Sequence, residues 1–374
     1  MKTLVIILSE TRAYEATFDN FKKNVIDELD ADLCICIGQT SDYNYTNPFY
    51  QLAKYKFLYD EPDDFADAFD FAYKTVIKDA PKRECLNNIN ALYGKLKYPN
   101  DIKEGIIKLY SIDDTDDDSG DIVIHTNNFS SEMWRNTYYK IMEPSIDNLI
   151  VQDNVNTLKQ HLPWREFLKI KDQWLGGIKD KHNQHNGSAG ILIFFRWFLL
   201  KNLLENDLIS KYDRFIITRS DYIYQLPHPR LEYMDSKYVW FPDSEHYGGY
   251  TDRHVCLSKD NIIPYLNIFN NMVLNSNKYY ALMKIHNYWN LEKVIKFNLE
   301  QNKINNMIRE FPYVMYTIRL PHGKTRWIMG KYNNDLGYFI KYDSEYQKST
   351  MYKNKFIESG LYISDFYKNL LRIY

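Results

Sequence analysis

Residues 1–37, MKTLVIILSETRAYEATFDNFKKNVIDELDADLCICI, contain the pattern that decides the fold class. Leu4 to Leu8 and Leu33 to Ile37 are apolar runs of strand length, which indicates two buried strands. Apolar side chains recur at helical spacing between them, at Phe18, Phe21, Val25, Ile26 and Leu29. A strand, a helix and a second strand this close together form a βαβ unit. The pattern therefore predicts an α/β protein with a mostly parallel central sheet flanked by helices.

A second strand end is predicted in the middle of the chain. Tyr212 to Thr218 is typical of a buried strand, and Arg219-Ser220-Asp221 follows it directly. Asn186 or Ser188 is expected to cap a helix that runs to about Glu205 before this strand. Open α/β folds bind their ligands at the carboxyl ends of their strands, so the segments after Leu8 and after Thr218 are candidate binding segments.

The rest of the chain gives weaker patterns. Helices are predicted over 63–78, 84–96, 260–274, 277–302 and 361–372, and strands at 121–125, 238–241, 254–257 and 314–320. The acidic run 113–118 is typical of an exposed loop. Because no linker interrupts the sequence, we expect a single domain over 1–374 with a possible helical insertion at about 60–160.

Composition limits the possible partners. The chain has 374 residues, is 45% hydrophobic and carries a net charge of -2, so it can bury a large core but has no basic field for nucleic acid. Four cysteines are too few and too unevenly spaced for a disulfide framework or a zinc cluster. The first apolar run is too short for a signal peptide, and Ile191 to Leu200 is too short to span a bilayer. We expect a cytoplasmic protein without a transmembrane segment.

Four segments resemble, in their order and spacing, the landmarks of GT-A glycosyltransferases. They are KYDRFIITRSDYIY (211–224), VWFPDSEHYGGYTDRHVCLS (239–258), NLEKVIKFNL (290–299) and IRLPHGKTRW (318–327). They are most similar to polysaccharide glycosyltransferases of bacteria and large DNA viruses. The resemblance covers roughly 185–330 and the opening βαβ unit. It implies a hexosyl- or pentosyltransferase that moves sugar from a UDP-, GDP- or dTDP-sugar donor to a glycan, a glycoprotein or another hydroxyl acceptor.

The resemblance also implies a metal site. Asp221 stands at the DxD position, which binds Mn²⁺ or Mg²⁺ together with the donor diphosphate, and His322 stands where these enzymes keep a histidine for metal or phosphate. The sequence departs from the pattern at Arg219, which replaces the first acidic residue and gives R-S-D. We expect this guanidinium to supply part of the positive charge that the metal otherwise brings.

The remaining site residues are expected partly from the resemblance and partly from their place in the sequence, such as the end of the first strand for Arg12 and an apolar helix for Arg196. The base that deprotonates the acceptor is expected at Asp252 or Glu292. Donor contacts are expected from Ser9, Thr11, Arg12, Arg196, Arg219, Asp221, Gly248, Gly249 and Lys324. Two alternatives stay open: the glycine pair also suits an ordinary turn, and Arg196 also suits a buried ion pair with a strand carboxylate.

A second class of function remains open. Loss of the first DxD acid is also expected in a non-catalytic carbohydrate-binding or virion-associated protein that keeps the fold. A nucleotidyltransferase is less well supported, because no glycine-rich phosphate loop follows the first strand.

Overall fold

The computed structural model describes residues 1–77, 162–170, 173–179, 187–286, 288–323 and 328–371, together with the backbone of 122–125. The helix predicted at 84–96, the acidic run 113–118 and most of the possible insertion lie outside these ranges. Lys324 lies outside them as well.

The described residues form twelve strands and eleven α-helices. The strands are β1 (Thr3–Ile7), β2 (Ala31–Gln39), β3 (Tyr55–Asp60), β4 (Ile122–His125), β5 (Arg214–Thr218), β6 (Tyr222–Tyr224), β7 (Val239–Pro242), β8 (Val255–Ser258), β9 (Ile308–Phe311), β10 (Met315–Arg319), β11 (Lys331–Asn333) and β12 (Tyr338–Ile340). The helices are α1 (Tyr14–Phe21), α2 (Pro48–Leu52), α3 (65–77), α4 (Ala189–Glu205), α5 (Leu208–Lys211), α6 (Ile262–Leu266), α7 (Ile268–Leu274), α8 (Ser276–Ile285), α9 (Leu291–Gln301), α10 (Asp343–Ser359) and α11 (Ile363–Leu371).

The central sheet has the strand order β4-β3-β2-β1-β5-β8-β7-β9 among the described residues. Neighbouring strands are parallel except where β8 pairs with β5 and β7. This confirms the predicted α/β class and the mostly parallel sheet. The chain proceeds outward from β1 through β2 to β3 and later returns to place β5 on the other side of β1. The strand order therefore reverses between β1 and β5, which is where open α/β sheets bind ligands.

Each face of the sheet is covered by its own hydrophobic core. The side chains of β1 alternate between them, because Leu4 and Ile6 belong to one core and Val5 and Ile7 to the other. Helix α4 packs into the first core; most of its 17 residues are apolar and buried, as expected of a core helix, and Arg196 is buried among them. Helices α1 and α11 pack into the second core, through Phe21 and other side chains.

A second, smaller sheet has the order β11-β12-β10-β6. Strand β6 begins at Tyr222, directly after Asp221, and pairs antiparallel with β10. The sheet brings two basic residues from late in the chain toward the end of β5. Arg319 is the last residue of β10, and Lys341 follows β12.

The prediction of one helix over 277–302 is wrong. The chain breaks between α8 and α9, where Tyr288 adopts φ +63°. The indole of buried Trp289 donates to the Met283 carbonyl at 2.8 Å, and Asn290 caps α9 by accepting from the Lys293 amide at 2.9 Å. Glu292 consequently lies in the first turn of a helix and not in the middle of one.

The other predicted elements correspond closely to described ones. The helix at 260–274 is present but interrupted at Asn267, and the helix at 63–78 and the strand at 121–125 correspond to α3 and β4. Across the described ranges, every helix is too short or too polar to cross a membrane.

Candidate functional site

A cleft opens at the carboxyl edge of the central sheet, beside the β1–β5 reversal. Its empty space of about 670 Å³ includes solvent-open space at its mouth. The strand ends, α4 and the small sheet contribute its walls. Its lining residues are Leu8, Ser9, Glu10, Arg12, Cys36, Ile37, Gly38, Glu61, Ser188, Ile191, Leu192, Phe195, Arg219, Arg319 and Lys341.

Asp221 is completely buried at this edge, and two arginines hold its carboxylate. Arg219 donates from Nε to Oδ1 and from Nη2 to Oδ2, each at 2.9 Å. Arg319 donates from Nη1 to Oδ2. Burial alone would raise the pKa of Asp221, but the charges of the two guanidinium groups hold it well below the usual range. The carboxylate is therefore ionised, and both of its oxygens accept hydrogen bonds from cations.

These surroundings do not fit a divalent metal at Asp221. A hard cation needs carboxylate oxygens with free lone pairs, and two adjacent guanidinium groups would repel it. The imidazole of His322 is 74% exposed, with its Nε2 at 4.0 Å from Glu15 Oε1. The structure does not bring the two predicted metal ligands together.

Basic groups outnumber acidic ones at the β1–β5 end of the cleft. Arg12, Arg219, Arg319 and Lys341 line it, and Arg12 pairs at 2.7 Å with Glu10, whose side chain is 43% exposed. The Nε atoms of Arg12 and Arg319 are buried without a hydrogen-bond partner in the described protein. Buried donors of this kind are normally satisfied, and the positive charge of their guanidinium groups favours an anion in the cleft.

Lys341 is the most perturbed of these cations. Its side chain is 8% exposed, and its amide donates to the Thr317 carbonyl at 2.9 Å. Burial, followed by the charges of Arg219 and Arg319, lowers its pKa to about 6. The amine is therefore mostly neutral at pH 7, and a negative charge in the cleft would favour its ammonium form.

Asp252 and Glu292 form an acidic pair beside these cations. Burial and then the charge of Asp252 raise the pKa of Glu292 to about 7. Asp252 in turn contributes to raising the pKa of Arg219 against the effect of burial. Neither carboxylate is among the residues that line the cleft, but the raised pKa of Glu292 lies in the range that suits a general base.

The glycine pair positions this acidic pair. A side-chain carbon at Gly249 would lie 1.9 Å from the Glu292 carbonyl oxygen, and the next amide, of Tyr250, donates to that oxygen at 3.0 Å. Gly248 adopts φ +83°, which favours glycine. The glycines are therefore required for close packing of this loop on the start of α9. Neither of them lines the cleft.

The structure places three other residues that were predicted to contact the donor in different surroundings. Arg196 is completely buried; it donates from Nη1 to the Leu192 carbonyl and from Nη2 to the Asp252 carbonyl, each at 3.1 Å. It therefore fixes the Asp252 backbone. The Thr11 hydroxyl is hydrogen-bonded to Tyr43 and Asn47, which gives it a structural role. Ser9 lines the cleft.

A buried ion pair connects the acidic pair to the C-terminal helices. Arg253 donates to Glu345 Oε1 at 2.7 Å, and Glu345 is completely buried. The same carboxylate accepts from the Tyr313 hydroxyl at 2.9 Å and from the Thr317 amide at 2.7 Å. Its hydrogen bonds are thus well satisfied, and α10 is connected to the loop that carries Asp252.

Arg319, Lys341 and Glu345 were not among the predicted site residues. A charge within the apolar strand Val314 to Leu320 is a sequence signal that could have identified Arg319. Lys341 follows the three-residue strand β12, and Glu345 lies in the first turn of α10; their sequence neighbours give no comparable signal.

Comparison with known proteins does not assign a family: no family model matches the chain, and neither does any curated protein. Function must therefore be inferred from the site itself.

Proposed function

We propose that the chain is a GT-A type glycosyltransferase that binds the diphosphate of a nucleotide-sugar with arginine and lysine side chains. The observation that carries this proposal is the group of Arg12, Arg219, Arg319 and Lys341 at the β1–β5 reversal, together with a general-base candidate, Glu292, whose pKa burial and Asp252 raise to about 7. Sugar transfer needs both features, since the departing diphosphate must be neutralised and the acceptor hydroxyl must lose its proton.

The charges at the two ends of the cleft favour one orientation of a bound nucleoside diphosphate. Its basic end takes the diphosphate, because guanidinium groups bind phosphate oxygens through paired N–H donors. Glu61, after β3, lies at the other end and offers carboxylate oxygens to ribose or base donors. The central sheet, its antiparallel strand β8 and the small sheet that starts after Asp221 support assignment to the GT-A class.

The catalytic roles follow from the electrostatics. Glu292 accepts the proton of the acceptor hydroxyl, and Asp252 keeps its pKa high. Arg219 and Arg319 stabilise the charge that develops on the leaving diphosphate. Asp221 holds both guanidinium groups in place and does not bind metal, so transfer proceeds without Mn²⁺ or Mg²⁺.

The proposal is tested with a panel of UDP-, GDP- and dTDP-sugars in EDTA and in Mn²⁺. We expect one nucleotide class to raise the melting temperature in both buffers, since a ligand that binds only the folded state stabilises it. The same class should release nucleoside diphosphate when an acceptor or water is present. Absence of any shift across the panel in both buffers contradicts the proposal.

Lys341→Met separates ligand binding from folding. It keeps most of the side-chain volume and removes a buried amine, so the free protein should melt at a higher temperature than wild type. Loss of a charged hydrogen-bond donor should weaken nucleotide-sugar binding about 10–100-fold. Lys353→Met on the exposed face of α10 is the matched control and should change neither property. Weaker binding together with a lower melting temperature would point to a damaged fold.

Nucleotide-sugar affinity should also depend on pH through Lys341. The diphosphate favours the ammonium form, so binding raises the pKa of Lys341 from about 6. Below this pH the free amine is already protonated; above it, binding requires proton uptake and affinity falls by up to about tenfold per pH unit. Calorimetry in buffers of different ionisation enthalpy measures this uptake. A pH-independent affinity in wild type, or an unchanged slope in Lys341→Met, would contradict the assignment.

A non-catalytic carbohydrate-binding protein is the second candidate. The observation that favours it is the pairing of Asp221 with two arginines, which leaves no DxD-like metal site. Such a protein binds glycan but neither hydrolyses nor transfers from any donor in the panel, so the same experiment distinguishes the two candidates.

A further inference from the structure

Three potential metal ligands converge in the core on the β5–β8 part of the sheet, away from the cleft. His254 immediately precedes β8, Cys256 lies on that strand, and His228 lies in the loop after β6. All three are completely or almost completely buried. In the described part of the chain, these three residues form a group of potential metal ligands. Their ligand atoms all lie within 4.8 Å of one another.

The spacing of the three atoms suits a metal ion. His228 Nε2 lies 3.1 Å from His254 Nε2, and Cys256 Sγ lies 3.6 Å from the first nitrogen and 3.8 Å from the second. Metal–nitrogen bonds of about 2.0–2.1 Å and a metal–sulfur bond of about 2.3 Å place tetrahedral ligand atoms about 3.3–3.6 Å apart. One cation can therefore bind all three with small side-chain adjustments.

The outer nitrogens of both imidazoles have partners typical of metal-binding histidines. His228 Nδ1 donates to the Pro229 carbonyl at 2.7 Å, which leaves Nε2 with its lone pair toward the group. His254 Nδ1 lies 2.9 Å from the Thr218 hydroxyl oxygen. The Phe311 ring packs against both imidazoles, at 5.5 Å from each. The rings are thus held in orientation, and water is kept away from the group.

The charge around the group favours a monovalent ion. Arg214 is buried nearby and donates to three main-chain carbonyls, those of Leu257, Leu231 and Met234. Cu⁺ and one thiolate cancel, whereas Zn²⁺ and one thiolate leave a positive charge beside Arg214.

We propose that His228, His254 and Cys256 form a buried structural site for a thiophilic d¹⁰ cation, Cu⁺ in preference to Zn²⁺. Coordination replaces the thiol proton of Cys256, which is released to solvent; no electron is transferred. The ion connects the loop after β6 to β8 next to Thr218, the last residue before Arg219. It therefore stabilises the carboxyl edge of the sheet without contacting the cleft.

The site is tested by the metal content of full-length protein expressed with added copper or added zinc. Because the ligands are buried, each protein is also refolded with Cu⁺ under reducing conditions or with Zn²⁺. We expect about one Cu⁺ per chain, a higher melting temperature than the metal-free form, and weaker retention of Zn²⁺. One Zn²⁺ per chain and no copper would confirm the site but overturn the preference for Cu⁺.

Two variants make the result specific. Cys256→Ser and His228→Gln should each lower metal content at least tenfold, whereas Cys34→Ala, a buried strand cysteine outside the group, should retain it. The site is overturned if folded wild-type protein binds less than about 0.1 equivalent of either ion under all of these conditions. The two imidazoles would then form a metal-free hydrogen bond between their Nε2 atoms. Metal content does not depend on donor binding, so this outcome is independent of the proposed transferase activity.

Discussion

Replacing Glu345 by alanine is expected to lower the free energy of unfolding by about 3–5 kcal/mol. The variant removes the closer of the two buried carboxylates that pair with Arg253, leaving Glu245 at 3.2 Å, and it removes the acceptor of the Thr317 amide and the Tyr313 hydroxyl. Glu358→Ala on the same helix is the matched control, because Glu358 is exposed and should change stability by less than about 0.5 kcal/mol. Chemical denaturation at pH 7 measures both. A loss below about 1 kcal/mol for Glu345→Ala would show that the ion pair contributes little.

Replacing Glu345 by alanine should also affect the candidate functional site. Arg253 is adjacent in sequence to Asp252, and the ion pair with Glu345 links this loop to the small sheet through Thr317. A destabilised α10 should therefore also disturb the acidic pair, even though Glu345 does not line the cleft.

Glu292→Gln is expected to lower kcat about 10²–10⁴-fold, the usual contribution of a general base. Donor affinity should change less than about threefold, because Glu292 is not among the residues that line the cleft. Glu300→Gln, an exposed position on α9, serves as the matched control and should keep full activity. A drop in donor affinity with unchanged kcat would contradict the role of Glu292 as base.

The pH profile gives this prediction a second readout. In wild type, kcat should rise with pH through about 7, since Glu292 must be deprotonated to act. Asp252→Asn removes the neighbouring negative charge, lowers the pKa of Glu292 and moves the rise to lower pH. A purely structural role of Asp252 would leave the position of the rise unchanged.

Much of the central sheet could be predicted from short-range pattern. The opening βαβ unit, α4, β5 and β8 are strongly apolar segments. Their apolar periodicity can be recognised in the sequence without knowing how they pack. The break between α8 and α9 could not be predicted this way, because an apolar helical pattern continues across it. Trp289 is an apolar residue at a position that fits this helical pattern, but its backbone is not helical. Its indole N–H instead donates a hydrogen bond to the Met283 carbonyl.

The candidate site was predictable only where it depends on strand ends. Arg219 and Asp221 follow a buried strand, so their place at the carboxyl edge could be inferred from the sequence. The partners of Asp221 could not, because Arg319 lies about 100 residues later and reaches Asp221 through pairing within the small sheet. Without that partner, a lone carboxylate at a DxD position suggests a metal ligand. With it, the carboxylate is the counter-ion of two arginines.

Calorimetric titration of nucleotide-sugar into the protein in EDTA tests the central claim most directly, namely that basic side chains and not a metal bind the diphosphate. Binding in EDTA with an affinity within about threefold of that in Mn²⁺, accompanied by proton uptake above pH 6 and weakened in Lys341→Met, is the predicted result. Binding that appears only with Mn²⁺ and is unaffected by Lys341→Met would contradict it.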